Sequence, residues 1–176
     1  MEFFNFETIV SRLVKPGNVI LEEIDPLKMN IVHAAVGVAG ESSEVQKEMR
    51  ELNGDNSKLI IELGDVEFYF EALLQGFGFE FSNACNPDTS EYQNNLPEKA
   101  CVLLEPIKKW AINNKELNTT KVQMAILDVR CTLDAIYRSY CIEREWAIQE
   151  NIKKLSKRYA GLVYSDKAAK ERMDER

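Results

Sequence analysis

Histidine is almost absent from this chain: His33 is the one imidazole in 176 residues. A carboxylate di-iron bundle needs Glu-x-x-His pairs, and one histidine cannot supply them. The four cysteines, Cys85, Cys101, Cys131 and Cys141, contain no Cys-x-x-Cys spacing, so a zinc site is not expected either. They are read as reduced thiols of a cytoplasmic protein. The first residues, Met1 to Glu7, are apolar but lack the basic start and small-residue cleavage site of a signal peptide, so secretion is not expected. Long apolar runs are missing as well. The longest uncharged stretch, Met29 to Gly40, falls short of the roughly 20 residues that span a bilayer, so no membrane association is expected. Positive charge is in deficit: 22 Lys and Arg stand against 29 Asp and Glu, a net charge of -7 and a pI near 4.9. That balance argues against a nucleic-acid polymer as partner, because such binding rests on a cationic surface. A nucleotide held through a metal ion remains compatible.

Among the acids that are present, two pairs stand out: Glu41 with Glu44, and Glu62 with Asp65, each at i, i+3. Spacing alone means little, since this many acids give roughly five such pairs by chance. The flanking residues carry the argument. Val38, Glu41 and Val45 fall on one helical face, as do Leu59, Glu62 and Val66, and Asp65 lies between Ile61 and Tyr69. The acids thus interrupt apolar stripes, and carboxylates turned inward are costly unless paired or bound to a cation. Magnesium, with manganese as a substitute, is the expected ion. Gly40 and Gly64, each beside an acid, cost about 1 kcal/mol in a helix interior and so predict close backbone packing there.

The chain reads as all-α, an antiparallel helical bundle built on an αα-hairpin, with no convincing period-two alternation. Helices are expected over 2–13, 26–52 and 57–74, with the Asn53-Gly54-Asp55-Asn56 turn returning the chain so that both acid pairs meet at one level. Gly76-Phe77-Gly78 stops the third helix, and Asn83 to Asn95 reads as a surface loop. Further helices are expected over 97–113 and 119–158, the latter with a candidate break near Ile142, and a short last helix runs from the N-cap Ser165 through Met173. At this length the chain fits one domain, or one domain with an insertion.

The segments Gly40-Glu41-Ser42-Ser43-Glu44 and Glu62-Leu63-Gly64-Asp65 resemble the E-x-x-E then E-x-x-D signature of MazG-like nucleoside triphosphate pyrophosphohydrolases. His33-Ala34-Ala35-Val36-Gly37 is similar to that family's entry into the first acidic helix. The runs 151–159 and 165–172 resemble the closing segment of bacterial and phage members, although Ala160 stands where such members often have proline. The likeness covers residues 30–75 and 150–175, and the middle, about 77–149, is far longer than the connection in compact members. The resemblance implies an enlarged member acting in the cytoplasm of a bacterial or phage-infected cell. It implies cleavage of nucleoside triphosphates between the α- and β-phosphates, and a homodimer or higher homo-oligomer. The insertion leaves base preference and assembly open.

Within that resemblance, Glu41, Glu44, Glu62 and Asp65 are the expected metal ligands, with Glu44 also the general base, a role Glu41 shares as a candidate. Asn151, Lys154 and Arg158, at i, i+3, i+7, are the expected substrate-binding face, set against a reading in which basic residues merely close a long helix. Lys47 and Glu48 are read as exposed charged surface, His33 as a packed or capping residue and Tyr69 as core. Asp128, Arg130, Asp134 and Arg138 are read as an internal ion-pair network, and Trp110 and Trp146 as anchors of the insertion. Two alternatives stand beside broad triphosphate hydrolysis: a narrower activity on dUTP, dCTP or an alarmone, and a non-catalytic interaction module knotted by metal.

Overall fold

The computed structural model describes residues 5–80 and 95–171. All regular structure among these residues is helical, as the sequence predicts. The helices are α1 (Phe6–Leu13), α2 (Gly17–Glu23), α3 (Pro26–Glu51), α4 (Ser57–Phe77), α5 (Leu96–Ala111), α6 (Thr119–Ser139), α7 (Arg144–Arg158) and α8 (Asp166–Glu171), with a 3-10 turn at Ala160–Leu162.

Local chemistry sets the boundaries. Asp25 accepts a hydrogen bond from the Lys28 amide at 2.8 Å and Pro26 follows in the first turn, fixing the start of α3. Gly78 adopts φ 66°, and the Phe79 amide donates back to the Leu74 carbonyl at 3.0 Å, which closes α4 as a left-handed cap. Asn118 caps α6 through the Lys121 amide, and Ser165 does the same for α8 through Ala168. The long helix expected over 119–158 breaks between Ser139 and Arg144, where Cys141 takes φ 52°. Helix α2 was not anticipated. Residues 2–4 of the expected first helix, most of the Asn83–Asn95 loop and the end of the last helix at Met173 lie outside the described residues.

Helices α3 and α4 share the most extensive contact, and its register can be read from their glycines. A β-carbon on Gly76 would meet Ile31, and one on Gly37 would meet the Tyr69 ring at 2.3 Å. Ascending positions on α3 therefore face descending positions on α4. Helices α5 and α6 are not a satellite of this pair. Leu103, Ile107, Ile126, Val129, Leu133 and Ile136 join Ile31, Val38, Leu63 and Phe70 in one continuous buried cluster.

Three sequence expectations change here. Trp110 packs on the core, 6.0 Å from the Phe77 ring, whereas Trp146 is 54% exposed and is not part of the core cluster among the described residues. Gly40 has open space where a side chain would be, so close packing holds only for Gly64. Cys131 is disulfide-bonded, so the four cysteines are not all reduced thiols. Cys101 and Cys141 are free.

Candidate functional site

Helix α7 crosses α4 at Gly64. A β-carbon there would sit 2.4 Å from the Ala147 carbonyl oxygen and 3.0 Å from the Asn151 β-carbon, so only glycine lets the two backbones approach this closely. On one side of the crossing, Asn151 Nδ2 donates to Asp65 Oδ1 at 2.7 Å, and Lys154 Nζ pairs with Asp65 Oδ2. Asn151 is itself buried. Two of the three residues expected to bind substrate are thereby brought onto an expected metal ligand. The third, Arg158, is half-buried one turn farther along and acts electrostatically on Tyr69.

The carboxylates of Glu41, Glu62 and Asp65 converge, with one ligand atom from each lying within 4.8 Å of the others. All three are partly buried. Burial raises the Glu62 pKa to about 6, reinforced by the charges of Asp65, Glu41 and Glu44 and opposed by Lys154. A donor set of three close carboxylate oxygens, one already pushed towards its neutral form, fits a hard divalent cation.

Glu44 is placed differently. Its side chain is 53% exposed and 3.6 Å from Lys47, so the structure turns three of the four acids towards one another and leaves the fourth at the solvent rim. It remains close enough to raise the Glu62 pKa. Lys47 is exposed as expected, but Glu48 is largely covered, at 14%. His33 is exposed and tilts against Tyr69 with ring centroids 5.7 Å apart. Tyr69 is half-buried against the core, and its pKa is raised by burial and then by Glu41 and Asp65.

On the other side of the crossing lies a buried polar network that sequence reasoning found only in part. Glu67, 3% exposed, accepts from Arg130 at 2.8 Å, Tyr137 at 3.1 Å, and Arg144 at 3.0 and 2.8 Å. Arg130 also binds Asp134, as expected, whereas Asp128 turns outward to Lys99 at 3.5 Å. Burial alone would raise the Glu67 pKa, but hydrogen bonds and charge from Arg144 and Arg130 outweigh it and hold the carboxylate below its usual range. Burial and the Glu67 charge push Tyr137 upward. Glu67 and Arg144 went unnoticed because a lone acid in an apolar helix gives no spacing signal, and its partners lie 63 and 77 residues away.

No protein-family model matches this chain, and no curated protein or solved structure matches it either.

Proposed function

We propose that this protein is a magnesium-dependent nucleotide pyrophosphohydrolase that cleaves ribo- or deoxyribonucleoside triphosphates between the α- and β-phosphates. The observation carrying this reading is the convergence of Glu41 from α3 with Glu62 and Asp65 from α4. A triphosphate is repelled by such a cluster unless a cation lies between them. Magnesium, which takes a few carboxylates and keeps positions for water and phosphate oxygens, meets that need. In this reading α3 and α4 are the arms of an αα-hairpin within an antiparallel bundle, and α5 and α6 are the enlargement absent from compact MazG-like enzymes.

Glu41, Glu62 and Asp65 would hold magnesium, or manganese in its place, and the bound ion would polarise the α-phosphate and lower the pKa of the attacking water. Glu44, solvent-facing beside the cluster, accepts the proton as that water's oxygen bonds to the α-phosphorus. The bond from the α-phosphorus to the α,β-bridging oxygen breaks, and the products are a nucleoside monophosphate and pyrophosphate. Asn151 holds the Asp65 carboxylate in orientation. Lys154, already at the cluster edge, and Arg158, one turn on, offer cationic groups to the phosphate oxygens.

Product analysis tests this directly: the purified protein is incubated with a panel of ribo- and deoxyribonucleoside triphosphates and an alarmone, with magnesium or with chelator. The expected result is magnesium-dependent monophosphate plus pyrophosphate. Turnover confined to dUTP, dCTP or an alarmone would narrow the activity. Metal binding without turnover of any member would overturn it in favour of a non-catalytic helical module.

A further inference from the structure

The seam between α4 and α7 opens, beyond the Gly64 crossing, into a cleft of about 490 Å³. That is the size range of small-molecule sites. Much of its lining is apolar: Phe68 and Ala72 come from α4 and Ile148 and Ile152 from α7, and Phe68 and Ile152 are 47% and 44% exposed. Polar side chains also line it, Gln75 and Arg144 among them. Arg144 is fixed by its two hydrogen bonds to Glu67, and Gln75 by its 2.8 Å bond to Glu71, so these groups are held before any ligand arrives.

Two links join this cleft to the acid cluster. The Asn151 side chain lines the cleft while its amide donates to Asp65, so cleft and cluster are one side chain apart. Phe68 packs edge-to-face on Tyr69 with centroids 5.3 Å apart, and Tyr69 lies on Gly37, one turn from Glu41.

We infer that the α4–α7 cleft is the subsite for the nucleoside end of the substrate, its base lying against Phe68 between Ile148 and Ile152, and Asn151 marking the passage to the phosphates. A flat ring with an apolar face and polar edges matches this mixed lining. A phosphate does not, because Glu67 and Glu71 border the same space. This inference rests on the acid cluster as the phosphate site.

The test compares equilibrium binding, with magnesium, of the four α,β-methylene deoxynucleoside triphosphates and of inorganic tripolyphosphate, which has no base. The wild-type protein is expected to bind at least one nucleotide about tenfold more tightly than tripolyphosphate, as stacking of a base on an aromatic ring provides. Phe68→Ala, which removes the ring, and Ile152→Trp, which fills the cleft from an exposed position, should each bring that ratio towards one. A ratio unchanged in both variants, or no preference in the wild type, overturns the inference. Cleft-dependent binding without pyrophosphate release from ordinary triphosphates would leave the subsite standing and overturn the hydrolytic reading alone.

Discussion

Lys154 reaches across from α7 to the Asp65 carboxylate, 89 residues earlier in the chain, while Asn151 occupies the other oxygen of the same group. A divalent cation at the cluster must therefore compete with an ammonium for Asp65. Lys154→Met is expected to tighten magnesium binding in calorimetric titration and, in the same protein, to raise the nucleotide KM about tenfold. Weaker magnesium binding in that variant would show that the ammonium supports the cluster and does not compete within it.

Glu44 lies outside the triplet of converging carboxylates, so its removal should spare the metal and stop the chemistry. Glu44→Gln is expected to lower kcat by about 100-fold or more. Its helical circular dichroism and magnesium affinity should stay close to wild type. A near-normal rate would eliminate Glu44 as the base and leave Glu41 as the candidate.

Two glycines beside the acids should respond to alanine in opposite directions. At Gly64 the new β-carbon meets the Ala147 backbone oxygen, which cannot move aside, and a loss of about 1–3 kcal/mol is expected. At Gly40 there is nothing within 4 Å, and the gain in helix propensity should stabilise by up to about 1 kcal/mol. Thermal unfolding of the two variants separates these signs, and Gly64→Ala should also lose nucleotide binding as α7 is displaced.

The Glu62 pKa, raised to about 6, makes a prediction in pH. A carboxyl that holds its proton more tightly folded than unfolded favours folding at pH below about 4.5. That contribution fades as pH rises through 6, because the unfolded chain then binds fewer protons than the native one. Because Glu62 is half solvated, the loss is discounted to on the order of 1 kcal/mol. With chelator present, Glu62→Gln should match wild-type stability near pH 4 and exceed it at pH 7.5. Magnesium should stabilise wild type more at pH 7.5 than at pH 5, since protons and cation contend for the same oxygens. Equal melting shifts at the two pH values would contradict this.

Glu67 behaves with the opposite sign, its pKa held down by Arg144 and Arg130, so its contribution is present at neutral pH and lost on acidification. Glu67→Ala removes the buried acceptor shared by Arg130, Tyr137 and Arg144, while Asp134 stays paired with Arg130, and should cost about 1–3 kcal/mol in denaturant unfolding. A cost below about 1 kcal/mol would mean that water replaces the carboxylate.

The acid cluster was legible because Glu41, Glu62 and Asp65 interrupt apolar periodicity, and a period of 3.6 residues is what a sequence displays. Helix boundaries at Asp25-Pro26 and Gly78 were legible for the same kind of reason, since capping chemistry is local. Glu44 shares the spacing of its pair yet lies exposed, because two residues three apart differ by about 60° around a helix and the packed face ends between them. Glu67 with Arg144, the cleft beside Phe68 and the crossing at Ala147 depend on contacts between distant segments, for which one sequence offers no periodic trace. Gly40 and Gly64 look alike in sequence; only the arrival of α7 distinguishes them.

The order of synthesis gives the α7 crossing a further meaning. All three carboxylates are synthesised by residue 65, long before Asn151 and Lys154 exist, so a growing chain carries these acids without their basic counterweight. Loop closure of this length is slow compared with pairing of neighbouring helices. The docking of α7 is thus expected late in folding, and it brings the Lys154 ammonium that offsets part of the mutual repulsion of the acids.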